Sequence, residues 1–269
     1  MDLRSFLSRR TGQTPGAADA TTTPGHGEFE AVADFYDSLM HAVPYSQWVD
    51  YLEAILRRCD LRPARTLDLC CGTGKVGSCL RARGYPAVGI DLSAPMVAHC
   101  KNQRPPLPAA VQDASCLGLR GGAFDLVVSL FDSLNYILQP QTLKAAFDEA
   151  YRVLGDGGLL VFDLNTQRAL SAGLFNQSNL DSGAPLLYSW KAVWDAKTRI
   201  CRVDMWFNWR ADGRDLVFEE THYQYAYDNE QILGMLQEAG FCRVRAYHAY
   251  TFRPPTPWSD RVFYVAVKG

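Results

Sequence analysis

The residues best suited to chemistry lie in one glycine-rich stretch, LDLCCGTGKVG, at 67–77. An apolar run leads into Gly72, Gly74 and Gly77, which fit the pattern G-x-G-x-x-G. Glycines at such a turn allow the backbone to come close to a ligand. The stretch therefore predicts a nucleotide site at the end of a strand, and the pattern alone is compatible with a nicotinamide dinucleotide.

Asp68, four residues before Gly72, separates two interpretations of this loop. It lies in an otherwise apolar predicted strand, where an unpaired carboxylate would cost several kcal/mol. The carboxylate would repel the pyrophosphate of a dinucleotide, whereas it would attract a cofactor that carries an ammonium group and a sulfonium. Asp68 therefore favours S-adenosylmethionine (SAM) over NAD.

The elements that must position this loop alternate along the chain. Short apolar runs predict strands, and amphipathic stretches between most of them predict helices. Strands that alternate with helices imply a parallel sheet covered on both faces, which is the doubly wound α/β architecture. The predicted strands are 66–71, 87–92, 109–113, 124–131 and 158–164, with two more at 242–250 and 261–268.

A second pattern begins after Leu164. The segments 187–194, 200–209 and 216–227 alternate with a period of two, which is typical of antiparallel strands with one covered face. The tryptophans of these strands could roof a substrate pocket, pack as a plain core or form a dimer face. We therefore expect a small antiparallel β insertion at 169–227, either as a substrate cover or as the interface of a homodimer.

The motif LDLCCGTG at 67–74 resembles the first motif of the class I SAM-dependent methyltransferases. Further stretches resemble later motifs of that family in the same order, and the last two predicted strands resemble its hairpin with a reversed seventh strand. These stretches are VGIDLS at 88–93, QDA at 112–114, FDLVVSLFDSLNY at 124–136 and VLGDGGLLVFD at 153–163. The resemblance implies a doubly wound, mostly parallel seven-stranded sheet with a reversed C-terminal strand. It also implies SAM as cofactor and S-adenosylhomocysteine as product.

The same resemblance assigns roles to the motif residues. The family's first acidic residue lies near the amino end of the methionine part of SAM, and this role falls to Asp68. A carboxylate that closes the second strand, here Asp91, can accept both ribose hydroxyls, and Asp113 resembles the family's contact to the adenine amine. The expected cofactor-binding residues are Tyr36, Trp48, Asp68, Cys70, Gly72, Gly74, Asp91, Leu92, Met96, Asp113, Ala114, Leu130 and Phe131. The family usually has Gly or Ala where Cys70 and Cys71 stand, so the loop is slightly narrower here.

Methyl transfer from a sulfonium is an in-line displacement, so an enzyme must mainly align the acceptor with the methyl group and exclude water. A base is needed only when the acceptor arrives protonated. His222 is the best candidate for that base because its ordinary pKa is near neutral; a structural histidine would look the same in the sequence. Asn135 could orient an amine or a hydroxyl group, or bond its own backbone. We expect methylation of N or O of a small molecule.

Two other functions fit part of the pattern. A NAD-dependent oxidoreductase shares the glycine pattern, and a nucleic-acid methyltransferase shares the predicted fold. The latter would be expected to carry a basic groove or an Asn/Asp-Pro-Pro-aromatic run after the fourth strand, where this chain has DSLNY at 132–136. With 27 basic and 29 acidic residues among 269, the chain has no general field that attracts a polyanion, so nucleic acid is not the expected partner.

Cysteine spacing and hydropathy limit the possibilities for metal binding, membrane contact and location. The eight cysteines form no C-x-x-C pair and no partnered His spacing, so we expect reduced thiols and no metal site. No apolar run is long enough to cross a bilayer, which predicts no membrane partner and a cytoplasmic location. The predicted divisions are a disordered tail at 1–28, a helical lid at 29–62, a SAM-binding Rossmann-like domain at 63–168 and 228–269, and the insertion at 169–227.

Overall fold

The computed structural model describes residues 28–181, 184–211 and 214–269. The tail predicted at 1–28 therefore lies outside the described residues, apart from Glu28. The helices are α1 (Ala33–Leu39), α2 (Tyr45–Arg58), α3 (Lys75–Ala82), α4 (Ala94–His99), α5 (Pro140–Val153), α6 (Gln167–Ser171) and α7 (Asn229–Glu238). The strands are β1 (Thr66–Leu69), β2 (Ala87–Asp91), β3 (Ala109–Val111), β4 (Phe124–Ser129), β5 (Leu154–Asn165), β6 (Gln177–Asn179), β7 (Leu186–Asp195), β8 (Ile200–Ala211), β9 (Arg214–Tyr225), β10 (Phe241–His248) and β11 (Arg261–Lys268).

Seven strands form the main sheet, in the order β10-β11-β5-β4-β1-β2-β3. The pairs among β1 to β5 are parallel, whereas β11 runs antiparallel to both β5 and β10. The strand order reverses between β1 and β4, and such a switch point opens a crevice at the carboxyl ends of the strands. The predicted α/β fold with its reversed C-terminal strand is confirmed.

Both faces of the main sheet are covered, which explains why its strands read as continuous apolar runs. Every residue of β1 is buried. On one face the sheet packs against Leu143 and Phe147 of α5, and on the other against Leu52 and Ile55 of α2. Helix α2 is amphipathic, as its apolar spacing predicts.

Two strands of the main sheet end earlier than their apolar sequence predicts. β1 ends at Leu69 and β4 ends at Ser129, and shortly after these ends Cys70 and Phe131 have positive φ angles of 59° and 71°. A left-handed backbone turns the chain out of the sheet and removes it from the hydrogen-bonded ladder. The chain therefore leaves both strands beside the crevice.

The second sheet is antiparallel, in the order β6-β7-β8-β9. Its three long strands confirm the period-two prediction, whereas the short strand β6 and helix α6 have no counterpart in that prediction. Val203, Met205 and Phe207 on β8 join an apolar cluster with Val32 and Leu170, so this face of the sheet packs against the N-terminal segment and α6. No helix in the described part of the chain is both long and apolar enough to cross a membrane.

Candidate active site

A cavity of about 790 Å³ opens at the carboxyl ends of β1, β2 and β4. Its walls come from the glycine loop, the turns after β2, β3 and β4, the second sheet and the N-terminal segment. The volume is within the range of small-molecule sites. Twelve of the predicted site residues line the cavity, namely Tyr36, Asp68, Cys70, Gly72, Asp91, Leu92, Met96, Asp113, Ala114, Leu130, Phe131 and His222.

The glycine loop turns through two left-handed glycines with different surroundings. Gly72 has a φ of 54°, and a Cβ built there would meet no atom within 4 Å, so the loop leaves open space at this point. Gly74 has a φ of 83°, and its Cβ would lie 3.0 Å from the Sγ of Cys100 and 3.1 Å from Leu107. Gly74 does not line the cavity. Its lack of a side chain serves packing beneath the loop, and its expected contact with the cofactor stays a prediction.

Asp68 lies below the glycine loop, where few groups offset the negative charge of its carboxylate. The side chain is 2% exposed, and its Oδ2 accepts a hydrogen bond from the backbone N–H of Gly77 at 2.8 Å. Burial raises the pKa of Asp68 to about 7; the bond from Gly77 opposes that rise and the nearby Asp91 adds to it. Among the described residues no ion pair includes Asp68, so a cationic group of a ligand would be favourably received there.

Asp91 and Asp113 follow β2 and β3 at the same edge of the sheet. Asp91 accepts the backbone N–H of Gly72 at 2.7 Å and that of Ser93 at 2.9 Å, which ties the glycine loop to the second turn. Burial raises the pKa of Asp91, and these backbone bonds oppose the rise. Asp113 uses Oδ1 to accept from the N–H and the hydroxyl of Ser115. Each carboxylate keeps acceptor capacity for further donors.

The turn after β4 is held in an unusual conformation by a buried ion cluster. Phe131 and Asp132 have φ angles of 71° and 51°, which non-glycine residues rarely adopt. The carboxylate of Asp163 accepts the backbone N–H of Phe131 at 2.8 Å and that of Asp132 at 3.0 Å. Arg261 on β11 donates to Asp163 and, at 2.7 Å, to Asp132. The cluster therefore fixes Phe131 and Asp132, in the turn after β4, against the cavity.

Strand β9 brings three polar side chains together on one face. His222 Nε2 lies 2.7 Å from the Oε2 of Glu220, whose other oxygen accepts the backbone N–H of Val32 at 2.8 Å. Gln224 donates to Asp132 at 2.7 Å, which joins β9 to the ion cluster. Imidazole Nδ1 of His222 is buried and has no hydrogen-bond partner among the described residues. A histidine oriented by a carboxylate through one nitrogen can take up a proton at the other.

The N-terminal segment closes the cavity over His222. The ring centroid of Phe29 lies 4.4 Å from that of His222 and 5.1 Å from that of Tyr136. Glu28 accepts the backbone N–H of Tyr223 at 3.0 Å, and burial raises the pKa of Glu28 while the positive character of His222 opposes the rise. Sequence reasoning missed Glu28 and Phe29, because no periodicity or motif marks them.

Trp48, a further predicted site residue, lies behind the wall of the cavity. Trp48 packs its ring against Phe131 at a centroid distance of 5.0 Å and beneath the guanidinium of Arg261 at 5.2 Å. It supports the turn after β4, so the expectation of a lid contact to the cofactor is not met. The signal for Arg261, which sequence reasoning also missed, was the buried Asp163 on β5, because a charge there requires a cationic partner.

Asn135 is fully buried and lies outside the cavity. Its Nδ2 donates to the carbonyls of Asn165 and Tyr225 at 3.2 and 2.9 Å, and its Oδ1 accepts the N–H of Asn165 at 2.9 Å. All three bonds join the turn after β4 to β5 and to the end of β9. Both amide protons and one lone pair of Oδ1 are used within the protein, so this placement gives no support to the catalytic role expected from the sequence, which stays a prediction.

Comparisons with known proteins point in one direction. A model of the methyltransferase domain matches residues 66–158. The putative methyltransferase YqeM of Bacillus subtilis strain 168 is 31% identical over 244 residues, which cover 89% of this chain and 97% of that protein. A crystal structure of a SAM-dependent methyltransferase from Clostridium acetobutylicum ATCC 824 superposes with a TM-score of 0.77 and 26% identity, over 90% of this chain and 99% of that chain. The sugar N-methyltransferase KedS8 from Streptoalloteichus sp. ATCC 53650 shares the fold at 20% identity, with a TM-score of 0.75 over 96% of this chain and 99% of that chain.

Proposed function

The chain belongs to the class I SAM-dependent methyltransferases, and from that premise we propose that it transfers the methyl group of SAM to an oxygen or nitrogen atom of a small molecule. The observation that carries this proposal is His222, which lines the same cavity as the glycine loop and is held from behind by a hydrogen bond to Glu220. Activated methyl donor and proton acceptor would then act within one enclosed volume.

The residues at the first two turns fit SAM. We call the glycine loop, Asp68, Asp91 and Asp113 the cofactor half of the cavity. Asp68 is suited to the ammonium group, since its buried carboxylate has no cationic partner in the described chain. Asp91 would accept the ribose hydroxyls, and Asp113 would accept the adenine amine. SAM supplies the electrophilic methyl group when it is bound, and the NAD alternative receives no support from Asp68 or from the comparisons.

The opposite wall is suited to a protic acceptor. We call Phe29, Tyr136 and His222, together with Glu220 behind His222, the acceptor half. When Glu220 is ionised, it holds the proton of His222 on Nε2 and leaves the lone pair on Nδ1. Nδ1 would take the proton from the acceptor as its oxygen or nitrogen forms the new bond to the methyl carbon. Glu220 would then stabilise the imidazolium, in the way a third group orients and supports a catalytic histidine.

The size and charge of the chain support a small-molecule acceptor. The cavity of about 790 Å³ would hold the cofactor together with a small second ligand, and the net charge of −2 gives no field for a polyanion. The sugar N-methyltransferase named above acts on a small molecule. We also propose that the insertion at 169–227 serves as substrate cover, because Trp190, Val203 and Met205 line the cavity. A dimer role for the insertion stays a prediction.

Transfer of isotope-labelled methyl groups from SAM into a fractionated metabolite extract tests this function. We expect labelled small molecules with the wild-type protein and a strong loss of label with His222→Gln. S-Adenosylhomocysteine should raise the melting temperature, whereas NADH should not. Stabilisation by NADH alone, or label that appears only in nucleic acid, would contradict the proposal.

A further inference from the structure

The unpartnered nitrogen of His222 requires a physical explanation. The side chain is 2% exposed, and its Nδ1 has no hydrogen-bond partner among the described residues. A buried polar atom without a partner costs about 1–3 kcal/mol, and native structures contain few of them. Such an atom beside a ligand cavity points to a ligand that supplies the missing partner.

What covers His222 in this structure is the ring of Phe29. The two ring centroids are 4.4 Å apart, and the phenyl ring also contacts Tyr136 at 5.1 Å and Tyr36 at 6.0 Å. The side chain of Phe29 therefore fills a slot whose walls are two phenol rings and one imidazole. A slot bounded by rings at these separations has the dimensions of one planar ring.

The segment that carries Phe29 is held by few contacts and by a strained residue. Glu28 accepts one hydrogen bond from β9, and Val32 donates one to Glu220. The carbonyl of Phe29 accepts a long bond of 3.5 Å from the hydroxyl of Ser93. Phe29 has a φ of 64°, a conformation that a non-glycine residue adopts at an energetic cost. The strained backbone of Phe29 and the few hydrogen bonds of this segment favour release of the ring, and the loss of its three ring contacts opposes it.

We propose that Phe29 occupies the acceptor subsite of the resting enzyme, and that the acceptor is a planar aromatic ring with a hydroxyl group that replaces the phenyl ring and donates its proton to Nδ1 of His222. This inference rests on the proposed role of His222 as the base. It adds the chemical class of the substrate and the residue that must move to admit it.

The chemistry of the slot favours a phenolic hydroxyl. The pKa of a phenol, as in tyrosine, is near 10, so a histidine can assist its ionisation, whereas an aliphatic hydroxyl is a far weaker acid. In the reaction the O–H bond breaks and the proton passes to Nδ1. The oxygen forms a bond to the methyl carbon, and the C–S bond breaks with its electron pair going to sulfur. Atoms and charges balance without a further reactant.

The proposal that the ring of Phe29 covers His222 can be tested without any acceptor, by acylation of histidine with diethyl pyrocarbonate. Mass spectrometry of the peptide with His222 gives its rate of modification, and the peptides with His41 and His99 serve as internal references. We expect Phe29→Ala to raise the rate at His222 about tenfold, because the covered state no longer competes with opening. Phe29→Leu should raise it less, and Trp258→Ala, which removes an exposed ring elsewhere, should not change it. An unchanged rate in both folded Phe29 variants would overturn the proposal.

The ligand class is tested by ring complementation in Phe29→Ala saturated with S-adenosylhomocysteine. Phenol and cyclohexanol are matched probes of similar size, of which only phenol is planar. We expect phenol to shift the ¹⁵N resonance of Nδ1 of His222, identified by its loss in His222→Gln, and cyclohexanol to leave it in place. Equal shifts by both probes, or none by phenol, would overturn the phenolic assignment. Failure of the proposed function would show separately, as a protein without SAM affinity or methyl transfer.

Discussion

In the cofactor half of the cavity, the carboxylates Asp68, Asp91 and Asp113 follow one another along the chain, each at or just after the end of its own strand. In the acceptor half, Phe29 meets His222 across 193 positions of sequence (222 minus 29). The first half is fixed by strand ends and a glycine turn. The second exists only when the N-terminal segment, the turn after β4 and β9 have come together. The residues proposed to bind the cofactor thus come from local sequence, whereas those proposed to bind the acceptor come together only through tertiary assembly.

The two regions also differ in how they treat buried negative charge. Arg261 provides one positive charge for Asp132 and Asp163, so the turn after β4 is partly compensated within the protein; burial and the nearby Asp132 still raise the pKa of Asp163. Asp68 has no such partner among the described residues, and its pKa is raised to about 7. A buried carboxylate without a counter-charge lowers stability unless a ligand provides one. In the proposed function the ligand would provide the counter-charge for Asp68, whereas Asp132 and Asp163 already share one within the protein.

The largest expected effect belongs to the acceptor half. His222→Gln should lower kcat by about 10²–10⁴, the usual contribution of a general base, and leave the Kd of SAM unchanged. Steady-state kinetics together with calorimetric titration of SAM would measure both quantities. His99→Gln is the matched control, because His99 pairs with the exposed Asp34 and does not line the cavity. An equal loss of SAM affinity would show that the two halves are not separable.

Asp91→Ala should affect the cofactor half of the cavity instead of the acceptor half. We expect SAM binding to weaken by about 1–3 kcal/mol, because charge-assisted hydrogen bonds to the ribose are lost. Asp148→Ala, which removes a carboxylate paired with Lys144 on α5, is the control for charge alone. Unchanged SAM affinity in calorimetry would refute the assignment of Asp91 to the ribose.

The raised pKa of Asp68 predicts a pH-dependent affinity for SAM. Asp68 must be ionised to receive an ammonium group, and its pKa in the free protein is about 7. The affinity should be constant above that pH and fall by up to about tenfold per unit below it. Calorimetry from pH 6 to pH 8 would measure the slope. Asp68→Asn should bind SAM weakly with a flat profile, and a slope that persists in this variant would assign the titration to another group.

The smallest expected effect is on the stability of the ligand-free protein. Because the pKa of Asp68 is higher in the folded protein than its ordinary value of 3.8, the folded state binds the proton more tightly. Its contribution to stability is present at low pH and is lost as the pH rises from about 4 to about 7. Asp68→Asn should therefore raise the free energy of unfolding at pH 8 by about 1–2 kcal/mol, as measured in urea. A less stable variant would contradict the inference that the Asp68 carboxylate has no counter-charge in the ligand-free protein.

The contrast between the halves also explains what the sequence could predict. The fold class and the positions of Asp68 and Asp91 follow from contiguous patterns, since a strand, a turn and a helix lie within a few residues. The ends of β1 and β4 were predicted too late, because residue type does not reveal the left-handed backbone of Cys70 and Phe131.

The weakest predictions were those that depended on whether a side chain lies at the surface of the cavity or behind it. Asn135 is close in sequence to residues that line the cavity, yet its amide joins β5 and β9 to the turn after β4. Trp48 lies one ring behind Phe131. Neither distinction is available without tertiary contacts. The alternation on β9 did predict that Glu220, His222 and Gln224 share a face, but the contact of Phe29 with His222 has no periodic signal.

The position of Arg261 gives β11, the last strand in the chain, a role beyond joining β10 to β5 in the main sheet. In the observed register Arg261 lies opposite Asn165, and Phe263 lies opposite Asp163. Side chains alternate along a strand, so a slip of β11 by a single residue would turn the guanidinium to the far side of the sheet. Asp132 and Asp163 would then face each other without a counter-ion, and the turn they anchor would open. Correct alignment of the β10–β11 hairpin during folding is thus a condition for the shape of the turn after β4, two strands away in the sheet.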